Sequence, residues 1–82
     1  MKMEEFREIK QTVLACREQL TMIRQKLNAI AHKMHFEPVL KEPANFIDKA
    51  TDNLQKVVDD LDPALRYIGW LDEFVSGLSG GD

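Results

Sequence analysis

His32, His35 and Glu37 are the residues of this 82-residue sequence that come closest to a metal donor set. Two imidazoles and a carboxylate can bind zinc when they converge and leave a position for a fourth ligand. The histidines stand three apart, which places them on one side of a helix, but the single cysteine, Cys16, lies roughly 24 Å back along that helix. The expectation is two surface histidines satisfying a helix C-terminus, where a positive side chain complements the dipole, and no metal. Phosphotransfer through either histidine is not expected, since both border a proline-containing loop rather than the middle of a helix. Cys16 sits in an apolar repeat, where a thiol behaves as a small hydrophobe and burial suppresses its reactivity. Asp59, Asp60 and Asp62 cluster without the glycine turn or ligand spacing of a calcium loop. No glycine loop of the phosphate-cradling kind occurs between elements, because Gly80-Gly81 stands at the end of the sequence. With no assembled acid, base or nucleophile, the expectation is a non-enzymatic protein without a cofactor.

Tyr67, Trp70 and Phe74 are different in kind. They recur at i, i+3 and i+7, which lines them along one side of a helix, and aromatic side chains carry more than their share of binding energy at protein interfaces. They form the candidate protein-binding face. The competing expectation is that the same three residues are ordinary core, within one chain or between identical chains.

The elements that would carry these residues follow from periodicity. Phe6, Ile9, Val13, Cys16, Leu20, Ile23, Leu27, Ile30 and Met34 alternate at intervals of three and four, which predicts a helix over about residues 4–34 with a coiled-coil-like packing seam. Taking Phe6 as position a of a heptad, a holds Phe6, Val13, Leu20, Leu27 and Met34, and d holds Ile9, Cys16, Ile23 and Ile30. Position e carries Lys10, Arg17 and Arg24, the candidate nucleic-acid contacts. Position c carries Ala15, Met22 and Ala29, a thinner apolar strip that widens the stripe beyond a two-stranded seam and is a candidate oligomer contact. Pro38 and Pro43 interrupt the helix, giving a loop over 35–43 in which Phe36, Val39 and Leu40 are expected to pack down over the end of the core. Ile47, Ala50, Leu54, Val57 and Leu61 predict a second helix over about 44–61. Asp62-Pro63 has the form of a helix restart, cap followed by proline in the first turn, which predicts a third helix over about 63–77 with Leu65, Ile68, Leu71, Val75 and Leu78 on one face. Residues 79–82 read as a flexible tail.

Charge divides the chain. Residues 1–35 hold seven Lys or Arg against four acids, whereas residues 36–82 hold four against ten, within a net charge of -3. A basic helix lying along acidic ones is the simplest consequence. The same split disfavours nucleic acid, which needs the basic flank left free. Matched lengths, matching stripes and opposite charges together predict one all-alpha domain over residues 1–78, a long helix antiparallel to a kinked pair of shorter ones in a coiled-coil-like hairpin or bundle. An exchange of helices between two opened copies is the alternative. A domain this small is too small to bury the surplus apolar arc of helices 1 and 3 internally, so self-association, most simply as a dimer, is expected. No run is apolar and long enough to span a bilayer and no signal peptide is recognisable. With one cysteine there is no intramolecular disulfide, so the cytoplasm is the default location. The functional expectation is an adaptor, chaperone or regulatory subunit that binds a protein through helix 3. A nucleic-acid-binding regulator using the flank of helix 1 and a purely structural homo-oligomer are the alternatives.

Overall fold

The computed structural model describes residues 3–80, with side chains as far as Gly77. Helix α1 runs Met3–Met34 and helix α2 runs Lys41–Gly80, with a 3-10 turn over Pro38–Leu40 between them. Lys10 meets Asp72, Arg17 meets Asp62 and His35 meets Asp48, so residue numbers fall along one arm as they rise along the other. The chain is therefore an all-alpha antiparallel hairpin, an elongated rod of 67 × 17 × 15 Å.

Local chemistry explains the turn. His35, Phe36 and Glu37 donate their amides to Ala31, Lys33 and Met34, tightening the end of α1. Glu37 is then extended, at φ -104 and ψ 117, as the residue before a proline must be. Pro38 opens the 3-10 turn, where its missing amide proton costs nothing. Phe36 and Val39 do not pack down as expected: they are 75% and 84% exposed, and Leu40 is exposed as well. Each arm has a rod's end rather than an open core for them to cover.

The second arm also differs from expectation. Helices 2 and 3 are one continuous α2, with Pro63 inside it. Pro63 lies on the outer side of α2 and is exposed. Asp59, whose carbonyl loses its amide partner there, is itself exposed, while Val58, Leu61, Asp62 and Leu65 hold the inner side against α1. Asp62 does not cap a new helix but takes a hydrogen bond from Nε of Arg17 at 2.6 Å. Residues 79–80 belong to α2, and the rest of the expected tail, 81–82, lies outside the described residues.

The packing seam within the hairpin is turned from a and d toward a and e. Residues at a are half-buried, and so are Lys10, Arg17 and Arg24 at e, with Ala31 fully buried. The d residues stay out: Ile9, Ile23 and Ile30 are among the exposed large apolar side chains, and Cys16 is exposed. The shift follows the charges, because α2 offers Asp62 and Asp72 where the cations of e can reach them. On α2 the seam is Ala44, Thr51, Val58, Leu65 and Asp72, every seventh residue. Among the described residues Ala31, Ala44 and Val58 are the buried apolar ones, and no large side chain is fully buried.

Gly69 is half-buried on α2, and a Cβ built there meets nothing within 4 Å. Glycine in a helix interior is destabilising because folding restricts more backbone freedom. Gly69→Ala is therefore expected to stabilise the protein by roughly 0.5–1 kcal/mol, visible as a rise of a few degrees in thermal unfolding followed by circular dichroism.

Candidate protein-binding faces

Because both seams keep a seven-residue repeat, the two broad faces of the rod can be assigned residue by residue. On α1 the d line runs about 50° to one side of a, opposite in sense to e. On α2 the line Ile47, Leu54, Leu61, Ile68 and Val75 runs about 50° to the corresponding side of the seam, and Asp48, Gln55, Asp62, Gly69 and Ser76 to the other. An antiparallel partner reverses the sense of rotation, so these corresponding sides fall on the same face of the hairpin. One broad face is thus apolar from end to end: Ile9, Cys16, Ile23 and Ile30 on α1 beside the Ile47-to-Val75 line on α2, with Ala50, Val57, Ala64 and Leu71 beyond it. The other is stitched by polar side-chain pairs. Lys10 Nζ lies 3.3 Å from Asp72, Arg17 grips Asp62 at 2.6 and 3.4 Å, and His35 Nε2 lies 2.7 Å from Asp48. The hydrogen bond to Asp62 and its charge raise the pKa of the Arg17 guanidinium above its ordinary value.

Tyr67, Trp70 and Phe74 lie on neither seam nor broad face. They occupy the outer side of α2, pointing away from α1, and form a continuous ridge: the Tyr67 and Trp70 rings are 5.9 Å apart, and Trp70 stacks on Phe74 at 5.7 Å with 16° between planes. Offset stacking of this kind holds the rings in a fixed relation to one another. Trp70 is 56% exposed, with Tyr67 and Phe74 similarly open. A side chain so placed contributes little to the hairpin itself. Toward the turn, Phe46 is also exposed, with the Lys49 ammonium 5.6 Å from its ring centre.

The remaining candidates separate. His32 does not turn toward His35; its ring meets Phe36 edge-on at 5.3 Å, while His35 is held by Asp48. Among the described residues no three His, Cys, Asp or Glu side chains group as a metal would require. Lys10 and Arg17 are engaged by carboxylates rather than presented outward. Ala15, Met22 and Ala29 are exposed on the side of α1 away from α2. No helix is long and apolar enough to cross a membrane among the described residues.

The apolar broad face is the feature that reading the helices separately misses. Its signal was present: Ile47, Leu54, Leu61, Ile68 and Val75 hold a strict period of seven straight through Pro63, which a helix restart would have thrown out of phase. Comparison with known protein families, with characterised proteins and with solved structures finds no match for this chain.

Proposed function

We propose that the chain is a non-enzymatic protein-binding module of the cytoplasm, an adaptor, chaperone or regulatory subunit, whose contact with its protein partner centres on Tyr67, Trp70 and Phe74. The observation that carries this is the position of the ridge: three neighbouring aromatic rings, Trp70 stacked on Phe74 and Tyr67 tilted against Trp70, on the one side of α2 that no intramolecular packing uses. Solvating so much aromatic surface is unfavourable, and covering it is worth the most where the rings are already ordered. Asp60 and Glu73 flank the ridge on the exposed side of α2 with Arg66 between them, so the partner surface that fits is an apolar groove with a polar rim of mixed charge.

Trp70→Ala tests it. Helicity and sedimentation are expected to stay as in the wild type, while capture of the protein partner from the native source weakens by at least about 2 kcal/mol, some thirtyfold. Unfolding or dissociation of the variant would instead assign the ridge to the protein's own core. A well-folded variant that captures the same proteins as the wild type would end the proposal. The nucleic-acid alternative is weakened by the ion pairs that occupy Lys10 and Arg17.

A further inference from the structure

A monomer of this mass, packed compactly, exposes about 5,000 Å². This chain, of 9.4 kDa, exposes 6451 Å². Its radius of gyration is 18.7 Å, against about 12 Å for a compact domain of this length. The excess, roughly 1,400 Å², is more than the ~800 Å² per partner of an ordinary stable interface. The apolar broad face that runs the length of the rod is part of it, with Ile23 47% and Ile30 51% exposed.

We propose that this face is covered by a second copy of the same chain, lying antiparallel about a two-fold axis that crosses α1 between Gln19 and Leu20 and α2 at Leu61. The product is a four-helix dimer in which α1 packs on α1 and α2 on α2. The sequence is self-complementary about that axis. On α1, Ile9 meets the second copy's Ile30, and Cys16 meets its Ile23. On α2, Leu54 meets the second copy's Ile68. The edge of α1 that borders the face carries Glu5 near the open end and Lys33 near the turn. An antiparallel pairing sets each Glu5 against the other copy's Lys33. A two-fold axis along the rod would instead lay α1 on the second copy's α2, where Lys33 comes toward Ala50 and neither it nor Glu5 finds an opposite charge. Asp60 would meet its own copy only across the outer side of α2, which stays in water. The aromatic ridge is not part of this interface, so the two readings fail independently.

The test is a cysteine placed next to the axis. In a Cys16→Ser background, Gln19→Cys brings two thiols together at the point where α1 crosses its own copy. Mild oxidation is expected to give a covalent dimer in high yield. Thr12→Cys in the same background is the control, since more than seven residues from the axis its two copies stand at least roughly 21 Å apart, beyond disulfide reach. Sedimentation of the reduced wild type should show a dimer at micromolar concentration, unchanged by Trp70→Ala and lost with Ile23→Glu. A sedimenting monomer would overturn the proposal, and so would a dimer in which Gln19→Cys fails to cross-link or cross-links no better than Thr12→Cys.

Discussion

Val58→Asp is expected to abolish the folded hairpin. Val58 is 4% exposed and sits at the centre of the α2 seam, among the few apolar side chains that the two helices bury fully. Arg17 already serves Asp62, and Arg24, which the register of Lys10 and Asp72 sets level with Val58, would have to give up hydration of its own to meet a carboxylate there. Desolvating a charge in such a site costs several kcal/mol, which pairing repays only in part. Small domains have ~5–10 kcal/mol in all, and a thin two-helix seam stands at the low end. Far-ultraviolet circular dichroism should therefore show most of the helical signal lost at room temperature. Asn53→Asp, the same charge on the exposed outer side of α2, is the control and should move stability by no more than about 0.5 kcal/mol. Retained helicity in Val58→Asp, and again when Arg24→Gln is added to remove the facing cation, would mean that the helices do not depend on the seam described.

Pro63→Ala should act in the opposite direction and nearly as strongly. In a continuous helix the proline removes one backbone hydrogen bond, from residue 63 to the carbonyl of Asp59, and its ring crowds the same turn, at a cost of about 3 kcal/mol relative to alanine. Restoring the bond is expected to raise the thermal midpoint by about 10–20 °C for a domain of this size. The sign of this result separates the two readings of Asp62-Pro63. At the first turn of a separate third helix, proline is well accommodated and its replacement would be neutral or slightly destabilising. A flat or lowered midpoint would therefore place a helix boundary where α2 is continuous.

The first helix, the turn, the hairpin topology and the opposite charge of the two arms were legible in the sequence, because each rests on a local or periodic signal. The three-and-four spacing from Phe6 to Met34 specifies α1 by geometry alone, since only a helix brings those residues to one side. Pro38 after an extended Glu37 enforces the turn, and the opposite charges of the two halves orient one arm along the other. The aromatic ridge was equally visible, because i, i+3 and i+7 place Tyr67, Trp70 and Phe74 together on any helix.

Tertiary structure decided what the stripes face. An a-and-d stripe can meet its neighbour on either flank, and the choice of e over d depends on where Asp62 and Asp72 stand on the opposing arm, which no window of α1 contains. That choice turned Ile9, Cys16, Ile23 and Ile30 outward and made them, with the matching line of α2, a single apolar face. It also settled Pro63, for which Asp-Pro offers a good cap locally, while α1, packed on both sides of the proline, holds the helix through it. The same rod shape leaves Phe36 and Val39 with nothing to cover, because two helices side by side have no open core end. Local propensity names an element, but the face that element buries depends on the partner it meets.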